Sequence, residues 1–181
     1  MSELTVGARY AKSLIDLAQD ENILEQVKGD MELFIGVVKH NHELFAVLRN
    51  PIISHDKKVK ILDAIFGDKV SKATTGFFKI MISKSRGEVL YYTAQEFINQ
   101  YNAKKNIIKA LVTSATPLSA ANQKQIADLV AAEVGGHIIL QTKVDPALIG
   151  GFVLTVGDRQ IDTSIASSLK KLKLEFAQKA V

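Results

Sequence analysis

The sequence predicts an α+β fold, a six-helix bundle over residues 1–105 followed by a small α/β domain over residues 106–181. Three observations carry this expectation. Apolar residues in the amino-terminal part recur at helical spacing with short polar breaks, and the 181 residues include only three prolines, which interrupt helices and central strands. The pattern changes at Asn106, where the run Ile107 to Thr113 concentrates β-branched residues. Gly157-Asp158 then separates two short strand candidates, Phe152 to Val156 and Gln160 to Thr163, and its glycine suits a tight turn between antiparallel strands.

The expected helices are Leu4 to Asp20, Ile23 to Lys39, His42 to Arg49, Lys57 to Phe66, Val70 to Ser83 and Glu88 to Tyr101. Asn50-Pro51 stops the third, Ser54 and Asp56 are placed to cap the fourth, and Gly67-Asp68 ends it. Arg86-Gly87 parts the last two, and the short loops favour antiparallel neighbours. The polar stretch Asn102 to Asn106 reads as the linker. Beyond it come a strand over Ile107 to Thr113 and a helix over Ala120 to Val134, with Ser119 as cap and Gly135-Gly136 as stop. Strands follow at His137 to Val144, Phe152 to Val156 and Gln160 to Thr163. In a closing helix from Ile165 to Lys179, Ile165, Leu169, Leu172 and Phe176 recur at helical spacing and predict one buried stripe.

Composition narrows the function. Apolar residues make up 47% and charged residues 23%, enough for a core. Without cysteine there is no disulfide, thiolate nucleophile or cysteine-ligated metal, as a reducing compartment would suit. Met1-Ser2-Glu3-Leu4 does not begin a secretory signal or an arginine-rich presequence, and no run reaches the roughly 18 apolar residues of a membrane span. Membrane association is expected only through a partner. The net charge is +4, but Lys57-Lys58-Val59-Lys60, Lys104-Lys105 and Lys170-Lys171-Leu172-Lys173 are not interleaved with aromatic residues. They read as solvated faces, and a basic helical module for RNA or DNA stands as the alternative.

The residues assemble no catalytic set. His40 and His42 point to different sides of a helix, His55 and His137 are isolated, and no metal-ligand pair or cofactor motif appears. Gly150-Gly151 and Gly157 bracket a strand, where bends and turns need them, and do not have phosphate-loop spacing. Asp145, Asp158 and Asp162 lack the order of a calcium loop and read as turn and cap residues.

Two helices carry more apolar surface than a core contact needs. In the first, the stripe Leu4, Ala8, Ala11, Ile15 and Ala18 adjoins a second, Val6, Tyr10, Leu14 and Leu17. Together they span roughly 200°, about twice what one packed face requires. In the fifth, Ala73, Phe77, Ile80 and Met81 share a broad side that Phe78 and Ile82 extend. Either both helices are central and covered on two sides, or they lie side by side and expose a groove. Small residues such as Ser13, Ala73 and Gly76 would admit a partner helix to that groove.

Two stretches bear on the choice. Val6-Gly7-Ala8-Arg9-Tyr10-Ala11-Lys12-Ser13-Leu14 resembles the opening of the F-type ATP synthase delta subunit family, whose mitochondrial members are called oligomycin-sensitivity-conferring proteins. The block from Val144 through Gly150-Gly151-Phe152 and Gly157-Asp158 to Asp162-Thr163-Ser164-Ile165 is similar to that family's signature, and length and element order agree. The resemblance implies a non-catalytic stator subunit without metal or cofactor, on the cytoplasmic side of a bacterial inner membrane. Its helical domain would hold the catalytic head by gripping the amino-terminal helix of one alpha subunit. Its carboxy-terminal domain would bind the peripheral stalk of b subunits, one copy serving each complex. Carried onto this sequence, the head-binding positions are Val6, Tyr10, Ser13, Leu14 and Leu17 in the first helix and Ala73, Gly76, Ile80 and Lys84 in the fifth. Gly150, Gly151, Gly157, Asp158 and Asp162 would form the fold and touch no partner.

Overall fold

The computed structural model describes the backbone of residues 3–134 and 137–179, and the side chains of 4–131 and 137–176. The expected stop at Gly135-Gly136 lies outside the described residues. The chain divides into two compact units, one up to Asn102 and one from Ala103 onward, with an α+β arrangement.

The first unit contains α1 (Glu3–Asp20), α2 (Leu24–His40), α3 (His42–Arg49), α4 (His55–Phe66), α5 (Lys72–Ser83) and, after a 3-10 turn at Gly87–Val89, most of α6 (Leu90–Lys104). At its centre Phe34 of α2, Phe66 of α4 and Phe78 of α5 meet with ring centroids 5.0 to 6.1 Å apart. The tilted and edge-on geometries are the favoured ones for aromatic pairs. α1 buries Ala11, Leu14, Ile15 and Ala18. Gly7 lets α1 come close to α6, since a Cβ there would meet the Thr93 nitrogen at 3.3 Å.

Caps define the helix ends. Asn41 accepts from the Leu44 N–H at 3.1 Å to start α3, and Ser71 accepts from the Thr74 N–H at 3.2 Å to start α5. Ser54 occupies the position before α4, but its side chain makes no cap bond, contrary to the sequence expectation. The linker reading also needs correction. Asn102, Ala103 and Lys104 continue α6, because Tyr101 and Asn102 remain buried and a polar composition does not itself break a helix.

The second unit is a four-stranded sheet in the order β2-β1-β3-β4, formed by β1 (Ile107–Ser114), β2 (His137–Val144), β3 (Phe152–Val156) and β4 (Arg159–Asp162). α7 (Ala120–Val134) connects the parallel pair β1 and β2, and β3 joins β1 antiparallel. Alternate residues Ala110, Val112 and Leu154 face Val130 of α7 to form the core. β3 and β4 form a hairpin in which Val156 pairs with Arg159 across Gly157-Asp158, with positive φ at Gly157.

α8 (Ile165–Lys179) begins at a dense cap. The Asp162 carboxylate accepts from the Ser164 N–H at 2.9 Å and the Ser167 hydroxyl at 2.6 Å. Gly151, at φ 72°, needs to be glycine because a Cβ would also meet the Thr163 carbonyl, whereas a Cβ at Gly150 would press on the end of the Ile165 side chain. Ile149 precedes them at φ 66° and ψ −41°, with the Gly150 N–H donating to the Leu148 carbonyl at 2.7 Å. That is a strained γ-turn on a β-branched residue.

The stripe on α8 is not buried. Ile165, Leu169, Leu172 and Phe176 are 47%, 52%, 47% and 70% exposed. Helical periodicity identifies residues that share a face, whereas burial depends on what the rest of the chain lays against it.

Candidate functional site

On α1, Val6, Tyr10, Ser13 and Leu17 fall along one side, because their spacings of 4, 3 and 4 keep within a turn's drift of one line. Val6 and Tyr10 are half-buried, Ser13 is exposed, and Leu17 is 44% exposed. Leu14 departs from the expectation: it is 1% exposed and belongs to the core, so it supports this surface from beneath. Eight residues past Val6, it has turned roughly 80° round the helix axis, toward the packed side.

On α5, the outward row consists of Ala73, Gly76, Ile80 and Lys84, the last at the helix end. Thr74, Phe77, Phe78, Met81 and Ile82 take the buried side. Ile80 is 55% exposed, and a Cβ added at Gly76 would meet nothing within 4 Å. The excess apolar arc therefore splits, with the phenylalanines inward and Ile80 outward.

α1 packs chiefly on α2 and the 3-10 turn, whereas α5 packs on α4 and α2, so neither is the other's main neighbour. A concavity of about 250 Å³ is lined by Val6, Arg9, Tyr10, Ser13 and Arg86. It joins three of the expected α1 positions to the residue just beyond α5. The row Ala73, Gly76 and Ile80 does not line it. Sequence alone does not mark Arg9 and Arg86 as site residues: Arg9 lies within the motif that carries the family resemblance, and Arg86 stands at a helix break.

α5 is held in place by a buried carboxylate. Asp30 Oδ2 of α2 accepts from the Ser71 N–H at 2.9 Å and from the Thr74 hydroxyl at 2.7 Å. The negative charge sits where the exposed N–H groups and dipole of a helix start favour it.

The second unit has its own apolar surface. A concavity of about 550 Å³ is lined by Ile108, Val130, Leu154, Val156 and Ile161, with Gly157, Asp158 and Arg159 also at its wall. The α8 stripe is a further exposed apolar surface of that unit.

The basic cluster Lys57-Lys58-Val59-Lys60 is not a free stripe. Lys58 is buried and donates from Nζ to the Leu48 carbonyl at 2.8 Å, and desolvation lowers its pKa against the opposing charge of Glu88. Among the described residues no three His, Asp or Glu side chains gather as metal ligands, and no helix is long and apolar enough to cross a membrane.

Residues 6–176 match the family model described as ATP synthase delta (OSCP) subunit. The chain is 38% identical to ATP synthase subunit delta of Cytophaga hutchinsonii over 181 residues, covering 100% of this chain and 99% of that one. It is 32% identical to ATP synthase subunit delta of Flavobacterium johnsoniae over 177 residues, covering 98% and 99%. A chain in the structure of the Toxoplasma gondii mitochondrial ATP synthase hexamer shares the fold, with a TM-score of 0.71 at 22% identity, covering 94% of this chain and 97% of that one. With the match extending from α1 to α8, this chain belongs to the ATP synthase delta (OSCP) subunit family.

Proposed function

We propose that the helical unit holds the catalytic head of an ATP synthase by binding the amino-terminal helix of an alpha subunit on the α1–α5 surface. As a member of its family the chain is a structural stator subunit and not a catalytic one. The observation that carries the finer reading is the exposed row on α5. Ile80 stands out at 55% exposure beside Gly76, where open space admits a partner helix closely. On α1, the half-buried Val6 and Tyr10 offer apolar surface of their own.

The second unit binds the b-subunit peripheral stalk in this reading. The uncovered stripe of α8 supports it, since an apolar row of four large side chains is what a helical partner covers. Lys170, Lys171 and Lys173 are exposed on the same helix and suit an acidic stalk end. One copy bridging head and stalk resists rotor torque, and its membrane association, at the cytoplasmic face of a bacterial inner membrane, runs through the complex.

The experiment is calorimetric titration of the complete chain with a peptide of the alpha-subunit amino-terminal segment from the same organism. Tyr10→Asp and Ile80→Asp are each expected to weaken binding about tenfold or more with the fold retained. Wild-type affinity in both variants would refute the reading.

A further inference from the structure

We infer that the α1–α5 surface selects an acidic amphipathic helix, one of whose carboxylates sits between Arg9 and Arg86. The inference rests on the head-binding reading above and adds the charge chemistry of the partner.

The concavity has a mixed lining. Val6 and Tyr10 supply apolar surface, Ser13 turns its hydroxyl back to the Arg9 carbonyl at 3.1 Å, and the guanidiniums of Arg9 and Arg86 supply the charge. Both arginines are exposed, and no ion pair engages either among the described residues. The stretch of chain that leads to Arg86 has the same sign, and Glu88 follows it. From Ser71 to Arg86 the chain has four basic residues, Lys72, Lys79, Lys84 and Arg86, and no acidic one. Among the described residues, Lys79 is the one of these with an ion pair, to Asp63 of α4 at 3.1 Å.

A helix laid over this surface strips water from both guanidiniums. An apolar or basic helix would leave two desolvated charges without a counter-ion, a penalty that can exceed the gain from covering Val6, Tyr10 and Ile80. A carboxylate meets both forks with charge-assisted hydrogen bonds, the geometry for which arginine is suited. The selection is local. Asp16 and Asp20 follow Arg9 on the same flank of α1, at spacings of 7 and 11, so the basic field ends within two turns. The partner helix therefore places its acidic end beside Val6 and Ser13 and tolerates basic residues at the other.

The test titrates the complete chain with the alpha-subunit amino-terminal peptide at low and physiological salt. The variants are R9Q/R86Q and I80D, and a second peptide has its carboxylates replaced by amides. Wild type should bind the acidic peptide with an affinity that falls as salt rises. R9Q/R86Q should bind it about tenfold to a hundredfold more weakly at low salt with a flattened salt response, and should not discriminate between the two peptides. Both arginines are exposed, so its thermal midpoint should stay at the wild-type value. Equal affinity and equal salt response in wild type and R9Q/R86Q overturn the inference while I80D still loses binding, which leaves the head-binding reading intact. Absence of binding by wild type, or unchanged binding by I80D, overturns that reading and this inference with it.

Discussion

The Thr74 hydroxyl of α5 donates to the Asp30 carboxylate of α2 at 2.7 Å, with both side chains buried. The same carboxylate oxygen takes the Ser71 N–H, so one residue of α2 fixes where α5 starts and how it is rotated. That rotation sets which α5 residues face outward, and hence where the row of Ala73, Gly76 and Ile80 stands.

Asp30→Ala should lower unfolding free energy by about 2–3 kcal/mol, because it leaves a partly buried N–H and a buried hydroxyl without their acceptor. Asp30→Asn retains an acceptor oxygen but loses the charge at the helix start, and should cost about half as much. Urea unfolding followed by circular dichroism measures both. Equal stability of Asp30→Ala and wild type would refute the assignment.

Two glycines at helix positions should respond in opposite ways. Gly76→Ala should raise stability by about 0.5–1 kcal/mol, because a helix-interior glycine is disfavoured and the added Cβ meets nothing. The same change should weaken peptide binding if a partner helix comes close there. Gly7→Val should lower stability by about 1–3 kcal/mol, since its Cβ already presses on the Thr93 and Tyr92 backbone. Thermal melts of the two variants provide the comparison.

The Tyr101 hydroxyl donates to both Glu25 carboxylate oxygens, at 2.7 and 2.8 Å. That hydrogen bond, then burial and the charges of Glu25 and Glu32, push its pKa up to about 12. The folded value lies above the ordinary 10, so the contribution is complete below pH 10 and fades as pH rises through about 12. Tyr101→Phe should cost about 1.5 kcal/mol near neutral pH. The gap to wild type should close in alkali, as read from urea unfolding at successive pH values.

Asp162 behaves in the reverse sense. The hydroxyl of Ser167 and then the Ser164 groups lower its pKa from 3.8 to about 2, so its support for the start of α8 is present above pH 3.8 and lost as pH falls through about 2. Asp162→Ala should speed amide hydrogen exchange in the first turn of α8 at neutral pH, while wild type should show the same fraying only in strong acid.

Much of the fold was legible. His42–Arg49, Ala120–Val134 and the strands His137–Val144 and Phe152–Val156 have the bounds that periodicity and turn residues imply. What periodicity could not convey was cover. Leu14 and Leu17 share an apolar arc, yet one is core and the other is half open, because neighbouring helices are arranged by contacts distant in sequence. The α8 stripe differs from the expectation for the same reason, since its residues share a face that the described chain leaves exposed. Asp30 and Tyr101 escaped notice because a buried polar residue is recognisable only beside its partners, Thr74 and Glu25, far along the chain. Arg9 was visible within its motif, but Arg86 acquires meaning only where the end of α5 meets α1.

The location proposed for head binding is tested most directly by hydrogen–deuterium exchange of the complete chain with and without the alpha-subunit amino-terminal peptide. Slower exchange over residues 6–17 of α1 and 73–84 at α5, with α3 and α4 unchanged, is expected. Protection confined to α3 and α4, or to the sheet unit, would contradict it.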